Sequence, residues 1–289
     1  MASTAADGRA LRACVPPPSC HPKGHIVRIR LSRRVAIIGA AAFALLSAAV
    51  VPGVAQATDA QPRHPKPTVV LVHGAWADSS SWAPVMERLR HDGYPVRAIA
   101  NPLQGLTSDS AYVSSYLSTI DGPVVLVGHS YGGAVITNVA ASDPDVKSLV
   151  YIAGFIPAKG ETVGELAAKS SPALPLISTT VPGGTEVSID PAHFREAFAG
   201  DVDKTTAANL AAAQRPANTK AVSDASVNES FRSIPSWDLI TRQDNAIAPD
   251  VQRFMAERAN AHVTEVNASH AVMVSRPAAV TKIIEQAAR

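Results

Sequence analysis

Near the middle of the chain, Gly128-His129-Ser130-Tyr131-Gly132 has the G-x-S-x-G spacing that sets a serine on a sharp turn between a strand and a helix. Such a turn projects the Ser130 hydroxyl above the sheet, where a nucleophile has to stand. The glycines answer a steric demand, because a side chain at 128 or 132 would collide with the flanking strand or helix. The pattern alone is short enough to arise by chance, so its surroundings carry the reading. Pro123–Val127 (PVVLV) before it reads as a buried strand, and Ala134–Ala140 after it as a helix. A dinucleotide-binding turn would instead have G-x-G-x-x-G, which is absent here.

A serine hydroxyl needs a general base, and the base needs an acid to orient it. Nine histidines are present, and their positions sort them. His21 and His25 lie in an N-terminal leader, His64 in a linker, His91 at the end of a helix, His193 in an insert and His262 at a strand start. His73 precedes a glycine loop and His129 adjoins the serine, so both read as residues that order the turn. His270 follows the last strand and precedes the last helix, which makes it the expected base. The acid should end the preceding strand, giving the order Ser, Asp, His along the chain. Asp244 stands there; Asp238, the competitor, sits at the start of that strand and so at the other end of the sheet. Two backbone N–H groups should hold the oxyanion of an acyl-transfer intermediate: Ala75, in His73-Gly74-Ala75-Trp76 after the first strand, and Tyr131, directly after the serine.

These residues need a frame that brings distant strand ends to one rim. Short apolar runs at Thr68–Val72, Tyr94–Ala100, Pro123–Val127, Ser148–Phe155, Trp237–Arg242 and His262–Asn267 predict six strands. Helical spacing between them, over Trp82–Asp92, Ser108–Ile120, Tyr131–Ala141, Pro249–Ala259 and Pro277–Ala288, predicts the crossovers of a mostly parallel sheet with helices on both faces. The alternation breaks at about 158–233, a stretch with helical patches and several prolines and no clear strand. It reads as a helical cap inserted after the fourth strand, over the strand ends where open α/β sheets place their ligands. Phe194, Phe198 and Phe231 lend that cap an apolar lining.

Composition limits the function classes. The chain has 289 residues, 46% hydrophobic and 17% charged, as expected of a globular domain. Its formal charge of +2 is uneven: residues 1–57 hold seven basic residues and one acid, and the rest holds 19 basic and 23 acidic residues. With no basic stripe in the body, nucleic acid is not an expected partner. Residues 1–57 read as an export signal: Arg28, Arg30, Arg33 and Arg34, an apolar run from Val35 to Val51, and Val-Ala-Gln-Ala ending at Ala57 as a cleavage site. Ser32-Arg33-Arg34 resembles a twin-arginine signal, but Ala36 stands where a bulky apolar residue is usual, so the export route stays open. The rival, a membrane anchor, would be at the lower limit of a span. A polar, Pro-rich linker follows at 58–67, and the folded domain is expected over 68–289. The expected protein is therefore secreted, with no stable membrane anchor after cleavage. Both cysteines, Cys14 and Cys20, lie in the leader, so the mature chain has no thiol for catalysis or a disulfide. No H-E-x-x-H-like spacing is present, and neither metal nor cofactor is expected. Monomer and dimer are equally compatible with the sequence.

The combination of H-G-A-W at 73–76, G-H-S-Y-G-G at 128–133, Asp244 at a strand end and S-H-x-x-M-x-S-x-P at 269–277 resembles the actinobacterial esterase-like α/β-hydrolases. It is also similar to the plant methyl-ester esterase and hydroxynitrile lyase branch of that superfamily. The resemblance covers about residues 66–289 and implies the α/β-hydrolase fold and a serine hydrolase acting on small to medium carboxylic esters through an acyl-enzyme on Ser130. The lyases carry Thr where Gly74 stands, and Lys where Ala271 stands; that Lys handles the cyanide, so its absence favours ester hydrolysis. Lyase-like or perhydrolase chemistry on the same triad, and a catalytically silent ligand-binding relative, remain the alternatives.

Overall fold

The computed structural model describes residues 65–170 and 172–289. The export signal at 1–57 and most of the linker at 58–67 lie outside the described residues. The first half of the fold alternates strand and helix: β1 (Thr68–Val72), α1 (Ala83–His91), β2 (Val96–Ile99), α2 (Leu106–Leu117), β3 (Val124–His129), α3 (Tyr131–Val139) and β4 (Val146–Ile152). An insert follows, with α4 (Val163–Ala167), β5 (Leu176–Val181), β6 (Gly184–Ile189), α5 (Phe194–Phe198), α6 (Lys204–Ala212), β7 (Ala217–Asn218) and α7 (Lys220–Ser223). The alternation then resumes with β8 (Ser236–Thr241), α8 (Pro249–Arg258), β9 (His262–Val266), α9 (Val272–Ser275) and α10 (Pro277–Ala287).

The six strands expected from the apolar runs form one sheet in the order β2-β1-β3-β4-β8-β9, and every pair is parallel. Period-two side-chain alternation explains how uninterrupted apolar runs serve it. On β1, Val70 and Val72 join a core with α2, α3 and α8, while Val69 and Leu71 join a second core with α1 and α10 on the opposite face. Both faces are thus covered. Every residue of helix α3 is buried, as is every residue of β3 before it, so the serine turn joins two fully enclosed elements.

The insert contains more than the helical cap read from the sequence. β5, β6 and β7 form a separate antiparallel sheet, β5 and β6 joined through Pro182-Gly183. Gly183 has φ +103°, as the third residue of a Pro-Gly turn requires. Leu176–Val181 is almost wholly exposed, so it lacks the apolar run of a buried strand and shows only β-branched residues beside a turn signal.

Candidate active site

The serine turn has the geometry that its sequence implies. Ser130 has φ 53° and ψ −125°, a conformation that costs a non-glycine residue about 1–3 kcal/mol and that packing must impose. Three main-chain bonds impose it: Ser130 N–H donates to Ile152 O at 3.2 Å, and Ser130 O accepts from Gly133 at 2.9 Å and Phe155 at 3.0 Å. A Cβ on Gly128 would strike the backbone of Gly132, and one on Gly132 would strike the Val72 carbonyl of β1. The flanking glycines therefore let strand, turn and helix close on one another.

The loop after β1 approaches the same turn. A Cβ at Gly74 would lie 2.6 Å from Ser130 Cβ and 3.1 Å from Tyr131 N, so only glycine admits this approach. Neither Ala75 N–H nor Tyr131 N–H donates to another backbone carbonyl among the described residues. His73 orders the loop: its Nδ1 lies 2.9 Å from Gly74 O, and its Nε2 accepts from Asn101 N–H at 3.0 Å. Burial pushes the His73 imidazole down to about 4, so it is neutral at neutral pH.

Asp244 and His270 are brought together. His270 Nδ1 lies 2.8 Å from Asp244 Oδ2, and both side chains are fully buried. The carboxylate is saturated. Oδ1 accepts from the N–H groups of Ala246 (2.8 Å) and Ile247 (2.9 Å), and Oδ2 also accepts from Thr241 Oγ1 (2.6 Å) and Gln252 Nε2 (3.0 Å). Because a carboxylate only accepts, the proton in the shared bond belongs on His270 Nδ1, leaving Nε2 as a bare lone pair. That Nε2 is buried and has no hydrogen-bond partner in this structure, so it makes no bond to Ser130.

The histidine is fixed from two sides. His129, next to the serine, places its Nε2 3.0 Å from His270 O and its ring 4.7 Å from the His270 ring. Burial, and then the neighbouring His270, hold His129 well below the usual imidazole range, so it packs as a neutral ring. From the insert, the Phe198 ring sits 4.7 Å from the His270 ring, edge to face, and Phe198 O accepts from Ala271 N–H at 2.9 Å. Asp238 lies elsewhere: it is fully buried on β8, its carboxyl oxygens have no partner, and burial holds its pKa well above the carboxylate range.

Several contributing residues carry no local sequence signal. Gln252 on α8 and Thr241 at the end of β8 support Asp244. Asp201 in the insert accepts from Ser269 N–H and Ser269 Oγ, beside His270. Asp109 on α2 accepts from the Tyr131 hydroxyl at 2.7 Å. Only Thr241, three residues before Asp244, was within reach of a sequence reading.

A cavity of about 60 Å³ opens beside Ser130, with Ala75, Trp76 and Tyr131 on its near wall and Ala217, Ala221 and Val222 from the insert opposite. Among the described residues, no group of His, Cys, Asp and Glu could hold a metal ion, and no helix is long and apolar enough to cross a membrane.

A model of the alpha/beta hydrolase family matches residues 69–283. A carbendazim-hydrolysing esterase from a Nocardioides species is 34% identical over 128 residues, which cover 40% of this chain and 52% of that protein. The match thus spans about half the length of the curated relative. Among solved structures, polyneuridine aldehyde esterase superposes with a TM-score of 0.68 at 18% identity, covering 76% of this chain and 98% of that one. A methylesterase from Arabidopsis gives 0.65 at 19% identity, with 76% and 98% covered. A pyrethroid hydrolase from Sphingobium faniae gives 0.63 at 22% identity, with 77% and 97% covered. At these identities the structural likenesses speak for the fold.

Proposed function

The chain belongs to the alpha/beta hydrolase family, and from that premise we propose that it is a serine hydrolase of carboxylic esters, with Ser130 as nucleophile, His270 as base and Asp244 as the acid that orients it. The observation that carries this reading is the buried 2.8 Å bond between His270 Nδ1 and Asp244, which leaves Nε2 free as a base beside the serine turn. The esterase named among curated relatives, and the esterases among structural neighbours, support ester hydrolysis as the reaction type.

In the first half-reaction Ser130 Oγ attacks the ester carbonyl while His270 Nε2 takes its proton. Asp244 keeps the imidazole in the right tautomer and stabilises the cation that forms. The N–H groups of Ala75 and Tyr131 face the developing oxyanion, each worth about 3 kcal/mol in the transition state. Collapse of the tetrahedral intermediate breaks the carbon–alkoxy bond, and the His270 proton passes to the departing alcohol. In the second half-reaction His270 deprotonates a water that attacks the acyl-enzyme, and the acid leaves as Ser130 regains its proton.

Hydrolysis of 4-nitrophenyl butyrate by the wild-type chain and by Ser130→Ala tests the reading. The expected result is turnover that falls by at least about a thousandfold in the variant while its melting temperature is kept. Equal rates for the two proteins would sink it.

A further inference from the structure

We propose that the cavity beside Ser130 is the acyl subsite and that it selects a short, unfunctionalised hydrocarbon acyl chain. The inference rests on the reading of Ser130 as the residue that is acylated.

The chemistry of the wall excludes other acyl groups. No Lys, Arg, Asp, Glu or His side chain lines the cavity. Two polar side-chain groups border it besides Ser130, and the protein occupies both. Trp76 Nε1 donates to Val187 O at 2.9 Å, and the Tyr131 hydroxyl donates to Asp109 at 2.7 Å. A hydroxyl, amine or carboxylate on the acyl chain would leave water and find no partner, which strongly disfavours its binding. The volume of about 60 Å³ is well under the roughly 150 Å³ that admits a benzene-sized molecule, which keeps the chain short.

The same geometry assigns the cavity to the acyl half of the ester. Ser130 and both oxyanion residues, Ala75 and Tyr131, line it, and His270 does not. The departing alcohol must receive a proton from His270 Nε2, and the incoming water must give one to it. Both therefore use the His270 side of the carbonyl carbon. The group that stays bonded to Ser130 through both half-reactions is the acyl group, and the cavity on the other side suits it. Small buried residues of the insert, Ala217 on β7 and Ala221 on α7, are part of its lining.

The test is a matrix of 4-nitrophenyl esters on the full chain: straight acyl chains from acetate to dodecanoate, and one chain ending in a carboxylate. Wild type should gain about threefold to fourfold in kcat/KM per methylene until the cavity is filled and then decline. The carboxylate-bearing ester should fall at least a hundredfold below the hydrocarbon of equal length. Ala221→Leu should lower the butyrate-to-acetate ratio of kcat/KM by at least about fivefold, and Val222→Ala should move the optimum to a longer chain. The enlarging variant keeps the test decisive if the added leucine is not accommodated. A flat acyl profile, an accepted carboxylate, or variants that alter leaving-group preference in place of acyl length would overturn the assignment. Those outcomes differ from failure of the underlying reading, in which no ester is cleaved faster than by Ser130→Ala and the acyl subsite falls with it.

Discussion

Asp244 accepts five hydrogen bonds, four of them from groups other than His270. An amide at this position would turn a donor toward one of those donors and toward His270 Nδ1, favouring the wrong imidazole tautomer. Asp244→Asn should therefore lower kcat by about 10⁴ with near-native circular dichroism; a loss of less than tenfold would mean that the carboxylate does not orient the base. Tyr131 is a second point of control. Its hydroxyl is fixed to Asp109, which also accepts from Gln104 N–H at 3.0 Å and Gly105 N–H at 3.4 Å. Burial raises the Asp109 pKa against the pull of those bonds. In the proposed mechanism the Tyr131 main-chain N–H faces the oxyanion, and its side-chain anchor would align that donor. Tyr131→Phe leaves the α2 contacts of Asp109 in place, so steady-state kinetics should show kcat down about tenfold and KM unchanged. A change confined to KM would assign Tyr131 to substrate binding alone.

At the scale of elements, the insert holds the loop that carries His270. Asp201 binds Ser269 on one side of the histidine, and Phe198 O binds Ala271 on the other. Asn245, next to Asp244, donates through its side chain to Glu196 O of α5 at 3.0 Å. The insert thus helps to set the base as well as to cover it. Asp201→Ala should reduce kcat several-fold and slow acylation of Ser130 by a fluorophosphonate, while Asp201→Asn, which keeps an acceptor for Ser269, should recover part of the loss. Identical rates for Asp201→Ala and wild type would make the contact a fastening with no catalytic consequence. The central strands were legible, because strands buried on both faces write their runs directly into the sequence, as TVVLV and PVVLV do, whereas β2 and β9 at the sheet edges are partly exposed. Ser130, Asp244 and His270 could be placed at strand ends from the sequence because each follows a stretch that reads as a strand. The β5–β6 hairpin was not legible, since an exposed strand carries no apolar run. The Asp201–Ser269 and Asp109–Tyr131 contacts were not either, because bonds 68 and 22 residues apart leave no local spacing to read.

For the molecule as a whole, Asp238 is a stability liability unrelated to the chemistry. It is buried in the central sheet without a partner, and burial raises its pKa far above the unfolded value. Below the unfolded pKa the group is protonated in both states and costs nothing. As pH rises past that point the unfolded chain ionises and is favoured, so folding stability falls until the folded pKa is passed. Asp238→Asn should flatten the dependence of melting temperature on pH above about 4, with the variant gaining on wild type as pH rises. Parallel curves for the two proteins would show that Asp238 does not ionise differently on unfolding. The basic, apolar leader supports a second whole-molecule proposal, export with cleavage after Ala57. N-terminal sequencing of protein recovered from the culture medium should then read Thr58-Asp59-Ala60; intact leader sequence on the recovered protein would contradict it.

The most direct measurement for the catalytic assignment is peptide mass spectrometry after reaction with a fluorophosphonate, which captures only a serine activated by its base. One adduct is expected, on Ser130, formed at least about a thousandfold more slowly in His270→Ala. An adduct on another residue, or labelling of Ser130 at the same rate without the imidazole, would contradict it.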